Sequence, residues 1–210
     1  MLTVILPCRK GSTRLGFDKQ LSPFCGTTLL DIKVKQLQDC KFIDRIILST
    51  NDDRIFGRYQ NVEVYQRDIN LISADGNVFV EICKQHVQEG DVLITMCTAP
   101  FFKEYDNAIK KYYSTDCDCL LTGRKINSFV VSKNNIINKT NNDVWPQTQT
   151  LQTWFELDNG ISPIMNIDMM KKYDSRIGIH PYIYTTDIIQ SIDIDYKEQW
   201  DLAEKLWNTF

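Results

Sequence analysis

The strongest constraint on the fold is an alternation. Short, continuously apolar runs at 3-TVILP-7, 45-RIILST-50, 62-VEVYQ-66 and 91-DVLITM-96 are separated by stretches of helical period. A run that is apolar at nearly every position suits a strand buried on both faces. Between these runs, 28-TLLDIKVKQLQDC-40 sets Leu30, Val34 and Leu37 on one helical face. Residues 76-GNVFVEICKQHV-87 group Val78, Phe79, Ile82, Cys83 and His86 in the same way, and 103-KEYDNAIKKYY-113 reads as a further helix. Asp52 and Asp53 suit the start of a short helix, where the dipole favours acids. Strands alternating with helices predict an α/β fold, a parallel sheet with helices on both faces. Ligands of such sheets bind at the carboxyl ends of the strands.

The second half has a different grain. Residues 119-CLLTGRKINSFVVS-132 read as strand, turn, strand. The stretch 133–150 is rich in Asn and Thr, lacks a period, and predicts a loop or extended arm. Strand-like runs return at 161-ISPIMNI-167 and 179-IHPYIYT-185. The stretch 197-KEQWDLAEKLWN-208 is an amphipathic helix with Trp200, Ala203, Leu206 and Trp207 inward. No repeat or linker divides the chain, so 1–210 is expected to be one domain, with 126–156 as an inserted arm.

Composition excludes some partners. A net charge of −3 gives no electrostatic reason to expect nucleic acid or an anionic membrane, so any anion site must be local. No apolar run approaches the ~20 residues that span a bilayer. The first strand has no basic segment before it and is too short for a signal-peptide core. The seven cysteines are scattered without a C-x-x-C pair; the close pair in 116-DCDC-119 has no second pair to complete a metal site. They read as reduced thiols, and the expected location is the cytoplasm.

Two motifs carry chemistry. The first strand runs into 7-PCRKGSTRLGFDKQL-21. Gly11 permits a tight turn and close approach of a ligand, Arg9 and Lys19 supply fixed charge, and Ser12 and Thr13 supply hydroxyls. That sum suits a polyphosphate, although neither common phosphate-loop pattern is present; the alternative is a solvated basic loop. The second motif is 191-SIDID-195. In an extended segment Asp193 and Asp195 point one way and Ile192 and Ile194 the other. Neighbouring carboxylates repel unless a cation or proton sits between them, and Mg²⁺ is a natural partner; the alternative is a solvated face. Asn159-Gly160 is in its own right a strong turn signal. His86 reads as a partly buried structural residue and His180, beside Pro181, as a loop residue.

These stretches resemble the acylneuraminate cytidylyltransferase family of sugar nucleotidyltransferases. The variant 11-GSTRL-15 is also similar to the 3-deoxy-manno-octulosonate cytidylyltransferases. The likeness continues through 43-IDRIILSTNDDRI-55, 98-TAP-100, 145-WPQTQTLQTWFELDNG-160 and 176-RIGIHPYIYTTDIIQSIDIDYKEQWDLAEKL-206. It implies a Rossmann-like, mixed but mostly parallel sheet with a small dimerisation lobe. It also implies a Mg²⁺-dependent reaction in which CTP and a sugar acid form a CMP-sugar and pyrophosphate for surface glycans. Pro7, Cys8, Arg9, Gly11, Ser12, Lys19, Gln20, Arg67 and Asp75 would hold the nucleotide, with Lys19 and Arg9 catalytic. Met96, Thr98, Gln147, Gln149, Asn159 and Gly160 would face the acceptor, and Asp193 and Asp195 the metal. The resemblance further implies a homodimer whose arm reaches the other subunit's site.

Several positions depart from the family pattern. Gln20 stands where Asn is usual, Gln147 where Arg is frequent, and Met96 where a Gln reaches the sugar. Gly76, Asn77 and Val78 replace a serine-threonine run after Asp75. These departures leave two alternatives: a nucleotidyltransferase with another nucleotide or acceptor, and a nucleotide-binding protein without turnover.

Overall fold

The computed structural model describes residues 1–11, 14–71, 76–133, 135–140 and 145–209. Strand β1 (Leu2–Cys8) is buried along its whole length. It lies between two parallel neighbours, β2 (Arg45–Thr50) and β4 (Asp91–Ile94), and β3 (Glu63–Gln66) extends the parallel set beyond β2. These are the four apolar runs of the first half.

Beyond β4 the sheet becomes mixed. The three-residue β9 (Ile164–Asn166) runs antiparallel between β4 and β5 (Cys119–Ile126). Strand β10 (Pro181–Thr186) lies parallel to β5, giving the order β10-β5-β9-β4-β1-β2-β3. Strand β8 (Trp154–Leu157) pairs antiparallel with the last four residues of β5. Between β5 and β8 the chain leaves the sheet as an arm. Its regular structure is a ribbon of two-residue strands, β6 (Val131–Ser132) and β7 (Asn135–Ile136), and a short 3₁₀ turn at Thr148–Thr150.

Helices cover both faces. Alternate residues of β1 decide which core they join. Leu2, Val4, Leu6 and Cys8 pack with α1 (Leu29–Gln38), α3 (Tyr105–Ser114) and α5 (Lys197–Trp207). Ile5 packs with α2 (Gly76–His86) and α4 (Ile167–Tyr173). The apolar run expected to be a strand through residue 167 ends at Asn166. The Asn166 side chain accepts from Asp168 N at 3.0 Å and caps α4, which diverts the chain onto the sheet face. Among the described residues no helix is long and apolar enough to cross a membrane.

The direction of β9 matters for the site. Because β9 enters from the carboxyl ends of β1 and β4, the turn before it, 158–163, lies beside the loops that leave those strands. His86 is half-buried with its ring 4.4 Å from Tyr65, and His180 is exposed beside β10.

Candidate active site

A cavity of about 270 Å³ opens at the carboxyl ends of the parallel strands. Pro7, Arg9, Gly11, Lys19 and Gln20 line it from the β1 loop, and Arg67 from the end of β3. Met96 and Thr98 contribute from the β4 loop, Asn159 from the turn before β9, and Asp193 and Asp195 from the segment before α5. Thus residues spread over 189 positions of sequence meet at one sheet end, between Pro7 and Asp195.

Helix α5 explains how the distant acids arrive. Trp200 packs edge-on against Phe17 and Phe24, with ring centres 4.9 and 5.2 Å away, and so ties α5 to the β1 loop. Gln199 Oε1 accepts from the backbone N–H of Asp195 and Tyr196, at 2.7 and 2.9 Å, and caps the helix. Ile194 is buried, and its N–H donates to Thr98 O at 2.8 Å. With Ile194 inward, Asp193 and Asp195 face the cavity, the alternation expected of an extended segment.

The two carboxylates are held differently. Lys19 Nζ donates to Asp195 Oδ1 at 2.7 Å and to Ile194 O at 3.2 Å, while Arg14 donates to Asp195 Oδ2 at 2.6 Å. Asp193 Oδ2 accepts from Asn159 Nδ2 at 2.6 Å. Its Oδ1 is buried without a hydrogen-bond partner among the described residues. A buried carboxylate oxygen without a donor fits a cation ligand, and two carboxylates are a donor set suited to a hard divalent ion. Among the described residues no three His, Cys, Asp or Glu side chains are grouped so as to hold a metal ion, so an ion at this pair would take its remaining ligands from water and phosphate. The repulsion anticipated between the two acids is therefore relieved on one side by the protein's own Lys19 and Arg14.

The β1 loop turns at Gly11, whose φ of +84° lies in the left-handed region that favours glycine. A Cβ there would meet nothing within 4 Å, so the requirement is conformational rather than steric. Arg67 is buried; its guanidinium donates to Ser49 O at 2.7 Å, and burial pulls its pKa down to about 10. Cys8 is not part of the lining: it is buried beneath it and hydrogen-bonded to Cys97, which holds its thiol pKa up together with burial.

Other expected positions fall elsewhere. Gly160 is packed beneath the cavity, where an added Cβ would lie 2.7 Å from Phe102 Cγ. Gln147 and Gln149 are exposed on the arm, and Gln149 lines a separate cleft with Lys125 and Thr148. Ser12 and Asp75 lie outside the described residues.

The structure also supplies residues that the sequence did not single out. Arg14, Phe79, Cys97 and Arg176 complete the lining. Buried Asp158 accepts from Thr122 Oγ1, from Thr186 Oγ1 at 2.6 Å and from Gly160 N at 3.0 Å, and so fixes the turn that presents Asn159. Lys33 of α1 is fully buried under the β4 loop. Its Nζ donates to Ala99 O at 2.8 Å and to Tyr105 Oη at 2.6 Å, and burial lowers its pKa to about 7. A signal for Lys33 was present, since it shares the helical face of Leu30, Val34 and Leu37.

Basic groups, a glycine turn and paired acids at the carboxyl ends of a doubly covered sheet define the class as a nucleotide-binding α/β enzyme. Solved structures share this fold across the chain. A CMP:2-keto-3-deoxy-manno-octonic acid synthetase complexed with CTP aligns over 99% of this chain and 98% of its own, with 14% identity and a TM-score of 0.70. A 4-diphosphocytidyl-2C-methyl-D-erythritol synthase from Anaerococcus prevotii aligns over 99% and 98%, with 15% identity and a TM-score of 0.66. No curated protein matches the sequence. The chain belongs to the cytidylyltransferase family, whose profile matches residues 3–207. It is a CTP-dependent nucleotidyltransferase.

Proposed function

We propose that the protein transfers the cytidylyl group of CTP to a hydroxyl of a sugar acid, releasing pyrophosphate and forming an activated precursor for surface glycans in the cytoplasm. The observation that carries this reading is the convergence of Lys19, Arg14 and the Asp193–Asp195 pair in one cavity beside the β1 loop. The acceptor hydroxyl gives up its proton to solvent as its oxygen bonds to the α-phosphorus and the bond from that phosphorus to the α–β bridging oxygen breaks, so that the bridging oxygen leaves with pyrophosphate. There is little covalent work for the protein, so positioning and electrostatics supply most of the catalysis.

The loop amides around Gly11, with Arg9 and Lys19, bind the triphosphate. Lys19 and Arg14 exchange Asp195 for phosphate oxygens and neutralise charge on the departing pyrophosphate. Asp193 and Asp195 would hold Mg²⁺, which when bound acts as Lewis acid and template on the phosphates. Asn159 orients Asp193 through its 2.6 Å hydrogen bond. Arg67 and the residues of the β4 loop border the nucleoside and acceptor.

The protein acts as a homodimer in this reading. The arm displays Trp145, 74% exposed and 4.7 Å from Phe129, together with exposed Val131 and Ile137. This apolar surface is what a second copy would cover, and the position of Gln147 and Gln149 on the same arm suits a contribution to the partner's acceptor site. Light scattering at micromolar concentration should give twice the monomer mass; a monomer contradicts the dimer. The reaction is tested with four nucleoside triphosphates and Mg²⁺, read by thermal shift and then by pyrophosphate release with a set of sugar acids. Stabilisation by CTP above the others and acid-dependent pyrophosphate release are expected.

A further inference from the structure

Arg176 is a cation that the nucleotide reading leaves unused. It follows α4 and lines the same cavity. Its guanidinium lies 5.1 Å over the ring of Phe79, and one terminal nitrogen donates to Ser162 Oγ at 3.2 Å. Arg14, Arg45, Arg54, Arg58 and Arg124 each pair with a carboxylate. Among the described residues no carboxylate pairs with Arg176. A guanidinium carries five N–H donors, so stacking on a ring and one hydroxyl contact leave most of them available. Burial also lowers its pKa, the mark of a charge held partly out of water.

Its place in the cavity separates it from the triphosphate wall. Leu15, Phe17 and Ile194 join the core under α1, α3 and α5. Phe79, on which Arg176 stacks, and Met96, which lines the same cavity, join the core under α2 and α4. The charges point the same way. Among the described residues, five cationic side chains and two carboxylates line the cavity, a surplus of three. A nucleoside triphosphate with one divalent cation brings about two negative charges, which leaves about one positive charge unmatched.

We infer that Arg176, stacked on Phe79 and steadied by Ser162, is the specificity-determining residue that receives the anionic group of the acceptor, a carboxylate or a phosphate. This rests on the cytidylyl-transfer reading. A planar fork of donors matches either anion in a bidentate manner, which a lysine does not reproduce.

The test uses the full-length protein loaded with CTP and Mg²⁺. The acceptors are 2-keto-3-deoxy-manno-octonic acid, N-acetylneuraminic acid, 2-C-methyl-D-erythritol 4-phosphate and the methyl ester of whichever acid is turned over. Arg176→Ala should raise the KM of the anionic acceptor about 10²-fold, the scale of one lost charge-assisted pair. Its CTP Kd by calorimetry should stay within about twofold, which also shows that the variant is folded. Arg176→Lys should recover only part of the loss, and the ester should show the same KM in wild type and variant. Turnover of the acids against the phosphate decides between carboxylate and phosphate. An unchanged acceptor KM or an equal loss of CTP affinity overturns the assignment while cytidylyl transfer stands; failure of every anionic acceptor to bind the CTP-loaded wild type overturns it together with the sugar-acid acceptor. Absence of CTP binding to wild type removes the cytidylyl-transfer reading itself, and the assignment with it.

Discussion

The two walls of the cavity treat charge in opposite ways. On the wall under α1 and α5, Lys19 and Arg14 clasp both oxygens of Asp195, so the cations are neutralised before any ligand arrives. On the wall under α2 and α4, Arg176 rests on an aromatic ring and a single hydroxyl. The difference teaches how each wall would meet its ligand. In the proposed reading the first is an exchange site, where phosphate would replace a carboxylate and free it for another role, and the second a waiting site, where a partly desolvated charge would gain a partner.

The largest expected effect breaks the first wall at its centre. Lys19→Ala should lower kcat by about 10²- to 10³-fold, the scale of one lost electrostatic donor, with the fold unchanged. Steady-state pyrophosphate release checks it, and near-normal turnover in a well-folded variant removes Lys19 from the catalytic set. Arg14→Ala sharpens the same comparison. Its side chain is half exposed, so the loss in kcat/KM should be smaller, about tenfold.

Gly160 tests whether the floor between the walls is as closely packed as it looks. Gly160→Ala forces a methyl against Phe102 at 2.7 Å and should cost about 1–3 kcal/mol, seen as a lowered denaturation midpoint. Wild-type stability in that variant would mean that the Phe102 ring moves aside freely.

A further test concerns Lys33, buried on α1 beneath the β4 loop. Its folded pKa of about 7 lies below the ordinary value of 10.5, because burial disfavours the charged form. Between those values the unfolded chain holds a proton that the folded chain has released. Stability from this group is therefore complete above the unfolded value and is lost as pH falls through about 7. Asp158 and Cys97 face the amine and oppose the shift. Lys33→Met should flatten the difference in stability between pH 7 and pH 10, measured by urea unfolding. Parallel curves for wild type and variant would remove the titration from this residue.

Much of the fold was legible because burial on both faces writes itself into apolar runs; β1, β2 and β4 fall on those runs. The acids of 191-SIDID-195 were legible for a related reason, since two-residue alternation with Ile192 and Ile194 left both carboxylates on one side. What stayed hidden depends on contacts made across long sequence distances. Strand β9 falls within the expected run 161–167, but its antiparallel place between β4 and β5 is set by neighbours on both sides rather than by a pattern of its own. Asp158, Ser162 and Arg176 acquire meaning only when β9 brings its preceding turn to the ends of β1 and β4. Arg14 reads as one more basic loop residue until α5 delivers Asp195 to it.

In the proposed reaction Asp195 passes from Lys19 and Arg14 to a metal when the triphosphate binds. Titration calorimetry of CTP with and without Mg²⁺, on wild type and Asp195→Asn, tests it most directly. In wild type Mg²⁺ should tighten CTP, and CTP should tighten Mg²⁺ by the same factor. In Asp195→Asn that coupling should vanish, while CTP without metal should bind at least as tightly as to wild type, because Lys19 and Arg14 then have no carboxylate to give up. Identical coupling in the two proteins, or weaker metal-free CTP binding in the variant, would contradict the exchange.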